Sequence, residues 1–373
     1  MSHLVFDHVD IVFGSAKKEA LTRLDQGETR DDILKATNAV IGVADASLQV
    51  EEGEICVLMG LSGSGKSTLL RSANGLNGVS RGKVLLRHRG EMVNIATIDA
   101  ATLRAVRTES VAMVFQQFAL LPWRTVRDNV GLGLELRGTP KAERDRIVDE
   151  KLKMVQLDQW ADKYGHELSG GMQQRVGLAR AFATDASLLL MDEPFSALDP
   201  LIRTKLQDEL LSLQKNLKKT ILFVSHDLDE AMKIGNRIAI MEGGRIVQWG
   251  TPEDIILKPA NAYVAEFVAH MNPLNVLKAG SLMRPVDQCE RDGDRVFVDA
   301  SRQAALRLDG QGKPQIEAGS AIELTSAQTT LKDVIALRQK SGHGVGIVDE
   351  GGRLVGVCTD ADIYRGLIRQ KRD

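Results

Sequence analysis

Residues 54–68 read EICVLMGLSGSGKST, and this stretch decides the fold. Its five apolar residues, 55–59, predict a short buried strand, and the helical run LLRSANGL follows soon after the loop. Between strand and helix, residues 60–68 fit the P-loop pattern G-x-x-x-x-G-K-[ST] in the structural context that such a loop requires. A glycine turn beside an unrelated surface lysine does not account for this context. The stretch therefore predicts a phosphate-binding loop in an α/β domain.

Each part of this loop has a chemical role in holding a triphosphate. The glycines leave backbone N–H groups free to point at phosphate oxygens. Lys66 supplies a positive charge to the β- and γ-phosphates, and Ser67 supplies a hydroxyl to Mg²⁺. The predicted phosphate-binding residues are Gly60, Ser62, Gly63, Ser64, Gly65, Lys66, Ser67 and Thr68.

A second apolar run, 188–191, ends in two adjacent carboxylates. Asp192 at the strand tip suits Mg²⁺, directly or through water. Glu193 points elsewhere, because successive side chains of a strand alternate, and there it is available to polarise an attacking water. The alternative is that the two residues only cap the next turn. Beside a P-loop, the pair favours hydrolysis of a nucleoside triphosphate.

The rest of the first 270 residues alternates between short apolar runs and amphipathic helical stretches. SVAMVFQ, TILFVSH and RIAIMEGG predict further strands, while residues 140–155 and 201–217 have apolar positions at helical spacing. This alternation predicts a mainly parallel sheet covered by helices. Residues 15–36 differ, because they are highly charged and contain a Thr29-x-x-Asp32 helix start. We expect them to form a helical surface insertion.

Composition limits the classes of function. A chain of 373 residues predicts two domains, and a net charge of −2 gives no reason to expect nucleic acid as a partner. The scattered cysteines Cys56, Cys289 and Cys358 predict a reducing compartment without a disulfide framework or a zinc site. The N-terminus has no signal-peptide pattern, and the apolar runs are far below the roughly 20 residues of a membrane span. We therefore expect a cytosolic chain that acts at a membrane only through a partner.

Residues 166–181, HELSGGMQQRVGLARA, predict a second anion site. With Ser169 as N-cap, the amides of Gly170 and Gly171 and the helix dipole face outward, as in phosphate sites. A second phosphate site is redundant within one subunit. It is useful if two chains pair head to tail, so that each nucleotide lies between one chain's P-loop and its partner's helix.

LSGGMQQR, following a P-loop and preceding LLLMDEP, resembles the signature of ATP-binding cassette (ABC) ATPases over about residues 4–257. The resemblance implies a P-loop ABC fold with ATP and Mg²⁺ as cofactors. It implies that Gln116 contacts Mg²⁺ and the attacking water, and that the 196–199 D-loop with Asp199 crosses the dimer interface. His226 would contact the γ-phosphate, although an isolated histidine is more often structural. The implied catalytic residues are Glu193, His226 and Gln116, the implied Mg²⁺ ligands are Ser67, Gln116 and Asp192, and Ser169, Gly170 and Gly171 would act on the partner's ATP.

Two further assignments follow from this resemblance and leave alternatives open. Phe13 would stack on adenine, if residues 15–36 are an insertion after it; otherwise Phe13 belongs to the core. Residues 97–178 would form a helical subdomain in which 115–130 contacts a membrane permease. For Trp123 and the leucines at 120 and 121, the alternative is the core of that subdomain.

The cargo is predicted from family similarity alone. No membrane domain is fused, which fits bacterial importers, and the runs LMGLSGSGKSTLLRSANGL and DEPFSALDPLIRTKLQDEL resemble the quaternary-ammonium uptake subfamily. FQQFALLPWRTVRDNVGLGLELRG and FVAHMNPLNVL are most similar to choline transporter subunits. The expected role is ATP hydrolysis by a homodimer, which drives choline import through permease subunits. A separate binding protein would deliver the substrate to the permease. Peripheral attachment at the cytoplasmic side of the inner membrane follows. Alternatives are a glycine betaine or proline betaine importer, or a soluble non-transport ABC ATPase.

A smaller C-terminal domain is predicted after the ABC domain of residues 1–270 and a linker at 271–285. Residues 326–368 resemble one CBS motif, with Gly356, Thr359 and Asp362 matching its nucleotide-binding pattern, and 281–325 resembles a degraded first half. Residues 286–373 would be a partial CBS-like domain, either a nucleotide or ionic-strength sensor or a dimerising appendage without ligand. The basic tail of Arg369, Lys371 and Arg372 either meets anionic lipid or is solvated.

Overall fold

The computed structural model describes residues 1–116, 119–269, 271–299, 301–316 and 321–368. The chain divides into two compact units, Met1–Trp249 and Gly250–Asp373. Residues 250–270, predicted as part of the first domain, therefore lie in the second unit. The basic tail and two residues of the 115–130 segment, Gln117 and Phe118, lie outside the described residues.

The first unit alternates strands and helices from its third strand onward. Its strands are β1 Ser2–Phe13, β2 Val40–Glu51, β3 Ile55–Met59, β4 Arg81–His88, β5 Glu91–Asn94, β6 Val111–Val114, β7 Leu188–Asp192, β8 Thr220–Val224, β9 Arg237–Glu242 and β10 Arg245–Gly250. Its α-helices are α1 Lys17–Asp25, α2 Arg30–Thr37, α3 Lys66–Ser72, α4 Ala100–Glu109, α5 Val126–Leu136, α6 Lys141–Met154, α7 Gly170–Ala183, α8 Pro200–Leu217 and α9 Leu228–Ile234. Short 3-10 turns occupy Asp158–Trp160 and Gly165–Glu167.

A six-stranded sheet in the order β10-β9-β3-β8-β7-β6 forms the centre of this unit. Strands β9, β3, β8, β7 and β6 are mutually parallel, which confirms the predicted parallel sheet. All five residues of β3, β7 and β8 are buried, as expected for strands covered on both faces. Because parallel strands end at the same edge, the loops after β3, β7 and β8 meet there.

A second, antiparallel sheet in the order β2-β1-β4-β5 packs against the first. One hydrophobic core joins side chains of both sheets and of α3, including Phe6 of β1, Leu58 of β3 and Leu70 of α3. The sequence did not predict this sheet, because its long strands lack the continuous apolar runs of the parallel ones.

The segment predicted as a helical insertion forms the helix pair α1 and α2. Thr29 is the N-cap of α2: its hydroxyl accepts a hydrogen bond from the Asp32 N–H at 3.2 Å and donates to the Asp32 carboxylate at 2.7 Å. Ala20, Leu24 and Ile33 bury the inner side of the pair in a small cluster with residues of β1 and β2. The insertion is thereby fixed to the antiparallel sheet.

Helices α5, α6 and α7 pack against one another as a helical layer. The range predicted for the helical subdomain, 97–178, also contains β6, which pairs with β7 in the central sheet. That subdomain range therefore includes one strand of the core.

The second unit contains two small sheets. Its helices are α10 Pro252–Leu257, α11 Ala262–Val268, α12 Ala279–Leu282, α13 Leu331–Ser341 and α14 Asp360–Leu367, with 3-10 turns at Pro273–Asn275 and Val286–Gln288. Its strands are β11 Arg284–Pro285, β12 Arg291–Asp292, β13 Arg295–Phe297, β14 Ala305–Leu308, β15 Pro314–Ile316, β16 Leu324–Ser326, β17 Val345–Val348 and β18 Leu354–Cys358. One sheet has the order β11-β18-β17-β16 and the other the order β12-β13-β14-β15.

The order helix, strand, turn, strand, helix predicted for 326–368 is confirmed by α13, β17, β18 and α14. The segment 281–325 differs from the expected degraded copy of this pattern. Within residues 291–316, its described part forms an antiparallel meander, β12 to β15, with polar turns between short strands. A meander has no helix to cover a parallel pair, so it does not duplicate the second half.

No α-helix within the described ranges is both long and apolar enough to cross a membrane.

Candidate functional site

The P-loop, the two carboxylates and the predicted histidine converge at the carboxyl edge of the central sheet. A cavity of about 440 Å³ at this edge is lined by Ser62, Gly63, Gly65, Lys66, Ser67, Thr68, Gln116, Glu193 and His226. The loops after β3, β6, β7 and β8 and the first turn of α3 supply these residues. The structure thus brings together most of the predicted phosphate-binding residues and all three predicted catalytic residues.

The P-loop packs closely against neighbouring backbone. Gly60 and Gly65 have φ angles of 140° and 99°, and a Cβ at these positions would lie 2.1 Å from the Met241 carbonyl oxygen and 2.4 Å from the Gly42 carbonyl oxygen. Only glycine fits there. The buried hydroxyl of Ser64 has no hydrogen-bond partner among the described residues. Such a hydroxyl, in a glycine-lined loop, fits a phosphate oxygen as its missing partner.

Lys66 lies at the first position of α3 with its ammonium turned back into the loop. Its Nζ donates to the carbonyls of Gly60 at 2.8 Å and Leu61 at 2.9 Å. Burial lowers the pKa of Lys66, and the carboxylates of Glu193 and Asp192 oppose this shift. A triphosphate would offer the ammonium stronger, charged acceptors than these two carbonyls.

Asp192 ends β7 as a fully buried carboxylate whose two oxygens have different partners. The Ser67 hydroxyl donates to Oδ1 at 2.6 Å, while the Arg71 guanidinium donates to Oδ2 from Nη2 at 2.8 Å and from Nε at 3.2 Å. Ser67 and Arg71 are four residues apart on α3 and so lie on one face of the helix. Arg71 was not among the predicted site residues, although its four-residue spacing from Ser67 places both on the same helix face.

Glu193 follows Asp192 with a φ of 49°, in the left-handed region that non-glycine residues rarely adopt. Its carboxylate Oε2 accepts a hydrogen bond from Gln116 Nε2 at 3.2 Å and lies 3.2 Å from His226 Nδ1. The backbone turn thus separates Glu193 from Asp192 and directs its carboxylate into the cavity. A carboxylate held between an amide and an imidazole is well placed to accept a proton from water.

Ser169 is the N-cap of α7, as predicted, and its hydroxyl accepts a hydrogen bond from the Met172 N–H at 3.4 Å. Ser169 and Gly170 are exposed, and Gly171 is half-buried. The described residues that line the phosphate cavity include none of these three. Asp199 is likewise an N-cap, of α8, and accepts from the Ile202 N–H at 3.0 Å.

Phe13 ends β1 with 42% of its surface exposed, so it is not a core residue. A Cβ on Gly42 would lie 2.7 Å from Phe13 Cε2 and 3.0 Å from Thr68 Cγ2, which places the ring beside the P-loop helix. The insertion reaches the same loop, because Arg30 Nη1 donates to the Gly63 carbonyl at 3.3 Å. The sequence did not predict this Arg30 contact.

Trp123 is 71% exposed, which excludes the alternative that it belongs to the subdomain core. The leucines at 120 and 121 are half-buried. Asn129, which is fully buried, accepts from the Leu121 N–H at 2.8 Å and donates to the Leu121 carbonyl at 3.1 Å. This pairing holds the loop so that the indole of Trp123 faces outward.

In the second unit, Thr359 and Asp362 form a helix cap. The fully buried Asp362 carboxylate accepts from the Thr359 N–H at 2.9 Å and from its hydroxyl at 2.6 Å, and its other oxygen accepts from Arg365. A Cβ on Gly356 would lie 2.6 Å from the Arg284 carbonyl oxygen, so strand packing explains this glycine. Both carboxylate oxygens of Asp362 are therefore engaged within the fold.

Comparison with known proteins agrees with this site. Residues 43–196 match the ABC transporter family. The glycine betaine/proline betaine transport system ATP-binding protein ProV of Escherichia coli (strain K12) is 42% identical, covering 96% of each chain. The glycine betaine transport ATP-binding protein OpuAA of Bacillus subtilis (strain 168) is 45% identical over 88% of this chain and 79% of its own. The dimeric ATP-binding cassette MJ0796, bound to ADP and Pi, matches with a TM-score of 0.58 and 28% identity over 67% of this chain and 98% of its own.

The chain belongs to the family of ABC transporter ATP-binding proteins. Its first unit has the P-loop ABC ATPase fold, and the protein is an ATPase that uses ATP with Mg²⁺. The oxygen donors of Ser67, Gln116 and Asp192 suit Mg²⁺, which prefers oxygen ligands and keeps several waters.

Arg71 gives a first testable consequence. Replacing Arg71 with methionine should raise the Mg²⁺ concentration needed for half-maximal tightening of ATP binding about tenfold, because Asp192 loses the partner that fixes Oδ2 and a charge-assisted hydrogen bond contributes roughly 1.5–3 kcal/mol. Affinity for ATP in excess chelator should change by less than about twofold. Titration of a fluorescent ATP analogue with and without Mg²⁺ measures both quantities.

Arg89 offers a matched control, since it forms a comparable two-point pair with Glu109 away from the cavity. Arg89→Met should leave the Mg²⁺ dependence unchanged, and Arg71→Lys should restore part of it. An Arg71→Met protein with the Mg²⁺ dependence of the wild type would show that Arg71 does not position Asp192.

Proposed function

We propose that this chain hydrolyses ATP to power the import of a quaternary ammonium compound across the cytoplasmic membrane. The observation that carries the proposal is the similarity to ProV, which extends over 96% of both chains. The two relatives are named for glycine betaine and proline betaine. Choline, predicted from sequence resemblance, remains the competing cargo within the same class.

The working form that we propose is a homodimer with two ATP molecules at its interface. Ser169, Gly170 and Gly171 are accessible but lie outside the phosphate cavity of their own chain, which supports a role at the partner's ATP. The structural relative MJ0796 is itself described as dimeric. In this arrangement the outward N–H groups of α7 would face the γ-phosphate held by the other P-loop, and the D-loop with Asp199 would cross the interface.

In the nucleotide site, the residues of one chain have separate tasks. The P-loop amides, Lys66 and the hydroxyls of Ser62, Ser64 and Thr68 would hold the phosphates, and Phe13 would stack on the adenine. Ser67, Gln116 and Asp192 would hold Mg²⁺, which when bound neutralises charge on the phosphate oxygens. The half-exposed ring of Phe13 beside Thr68 supports the stacking role.

Hydrolysis would begin when the Glu193 carboxylate removes a proton from a water molecule. The water oxygen then bonds to the γ-phosphorus while the bond to the bridging oxygen breaks, which yields ADP and phosphate. Gln116 and His226 hold Glu193 in place in the structure. We propose that on ATP binding they turn to the water and the γ-phosphate, respectively.

Transport would follow from closure of the dimer on ATP and its opening after hydrolysis. The exposed Trp123, on the loop before α5, supports a contact of residues 115–130 with the permease. The chain would then lie at the cytoplasmic side of the membrane, and a substrate-binding protein would act through the permease.

For the second unit we propose one CBS-like half, formed by α13, β17, β18 and α14. The engagement of both Asp362 oxygens within the fold supports a structural or dimerising role over nucleotide sensing through Gly356, Thr359 and Asp362. Residues 271–285, predicted as a linker, lie within this unit and supply its strand β11.

The experiment that tests the proposal is uptake of radiolabelled choline and of glycine betaine in cells carrying the wild type or Glu193→Gln. Import of either compound should be lost in the mutant and retained in a Glu109→Gln control, which alters an exposed carboxylate outside the cavity. Choline uptake that excess glycine betaine does not reduce would assign choline, and strong competition would assign the betaine class. Uptake of both compounds that is unaffected by Glu193→Gln would reject the importer role, and failure to co-purify with a permease would favour a soluble ATPase.

A further inference from the structure

Gln174 is a buried amide in the middle of α7, five residues after the N-cap Ser169. Only 1% of its surface is exposed. Its Nε2 donates to the carbonyl of Glu193 at 3.1 Å, and its Oε1 accepts from the N–H of Ala197 at 3.0 Å. Both polar ends of the side chain are therefore used to hold one loop, residues 193–198, which follows β7.

This 193–198 loop joins two parts of the catalytic apparatus. It begins with Glu193, whose φ of 49° is unfavourable for a residue with a side chain and needs support from its surroundings. It leads into Asp199, the N-cap of α8. While Gln116 and His226 hold the Glu193 carboxylate, Gln174 holds its backbone.

The packing of α7 on this loop is close. A Cβ on Gly171 would lie 3.1 Å from the Ala197 carbonyl oxygen and 3.5 Å from the Leu198 side chain. A shift of the loop would therefore be transmitted to the first turn of α7, and the reverse also holds, because well-packed contacts do not deform freely.

We propose that Gln174 is a positioning residue that couples two ATP sites, the one containing Glu193 of its own chain and the one completed in the partner by the N-terminus of α7. The inference rests on the proposed dimeric function. Gln174 keeps the Glu193 carboxylate where it can accept a proton from the attacking water, and it transmits movement of the 193–198 loop to Ser169–Gly171. An apolar side chain of equal length would remove the acceptor of the Ala197 N–H and one of the donors to the Glu193 carbonyl, which otherwise accepts only from Ser196 of its own loop among the described residues.

The test uses the purified full-length chain with the variants Gln174→Met and Gln174→Glu, followed by steady-state ATPase assays. Gln174→Met should lower kcat at least about tenfold, because a misplacement of about 1 Å in an active site costs up to 10²-fold. The KM for ATP should change less than about twofold, since Gln174 does not line the phosphate cavity. The Hill coefficient for ATP should fall toward that of independent sites.

Gln174→Glu distinguishes the contributions of the two hydrogen bonds, because only one of them depends on protonation. The pH dependence of this variant therefore tests the positioning role. An ionised glutamate still accepts from the Ala197 N–H but has no proton for the Glu193 carbonyl, whereas a protonated one donates to it. The kcat of this variant relative to wild type, measured at each pH, should therefore rise as the pH falls. A merely space-filling side chain gives no such trend.

Gln214→Met is the matched control, because Gln214 is half-buried and likewise donates to a backbone carbonyl, that of Gly53, outside the site. Thermal melting of all variants verifies that they fold. A kcat for Gln174→Met equal to that of Gln214→Met, an unchanged Hill coefficient, or a pH-independent ratio for Gln174→Glu would overturn the coupling role. If Glu193→Gln turned over ATP like the wild type, the proposed hydrolytic mechanism would be wrong, and the coupling role of Gln174 would be wrong with it.

Discussion

Replacement of Glu193 by glutamine is expected to abolish turnover, with a reduction of about 10³-fold and a range of roughly 10²–10⁴ for loss of a general base. The amide keeps the shape of the side chain and can still accept a hydrogen bond from Gln116. It cannot take a proton from water. ATP binding should therefore be retained, and the ATP-bound dimer should accumulate because it no longer hydrolyses its nucleotide.

Single-turnover hydrolysis and equilibrium binding of ATP, measured on the same preparation, separate the two effects. Glu109→Gln is the control, since Glu109 pairs with Arg89 on the surface and does not line the cavity. Turnover of Glu193→Gln near that of the wild type would rule out Glu193 as the general base. Loss of both hydrolysis and binding would indicate that Glu193 supports the fold of the site rather than the proton transfer.

Replacement of Lys66 by alanine is expected to weaken ATP binding about 100-fold. Its ammonium is buried, and in place of two carbonyls it would bind the β- and γ-phosphates, where a charge-assisted hydrogen bond contributes roughly 1.5–3 kcal/mol. Because 1.4 kcal/mol corresponds to a tenfold change, one or two such bonds account for this loss. Binding of AMP, which lacks both phosphates, should change much less.

Isothermal titration with ATP and AMP measures this difference. Lys219→Ala is a suitable control, because the Lys219 ammonium also donates to a backbone carbonyl, that of Asp185, but lies away from the P-loop. Equal losses for ATP and AMP would mean that Lys66 maintains the loop instead of contacting the terminal phosphates.

Local sequence was sufficient for the parts of the site that are built from consecutive residues. The P-loop, the strand that ends in Asp192 and the N-cap Ser169 each depend on neighbours within a few positions, so backbone preference and hydrophobic periodicity predict them. Buried parallel strands such as β3 and β7 are equally visible, since their burial on both faces requires continuous apolar runs. These features were predicted with the correct element type.

Other features depend on residues that are distant in the chain. The antiparallel sheet of β1, β2, β4 and β5 was not predicted, and most of the segment expected to be a degraded copy of the last half forms the meander β12 to β15. Arg30 on Gly63, Arg71 on Asp192 and Gln174 on Glu193 join segments separated by 19 to 121 residues. Local spacing can place Arg71 on the helix face of Ser67, but no local pattern identifies the distant partner of any of these three residues.

The sequence by itself determined that this protein binds a nucleoside triphosphate and hydrolyses it, because the loop, the carboxylates and the signature are short motifs with fixed chemistry. Only the tertiary structure determined the orientation of the Glu193 carboxylate. Its direction depends on a left-handed backbone angle at a residue whose carbonyl accepts from Gln174 of α7, and on Gln116 and His226 in the loops after β6 and β8. The energy that maintains this arrangement comes from packing and hydrogen bonds between distant segments, which form only when the whole sheet has assembled.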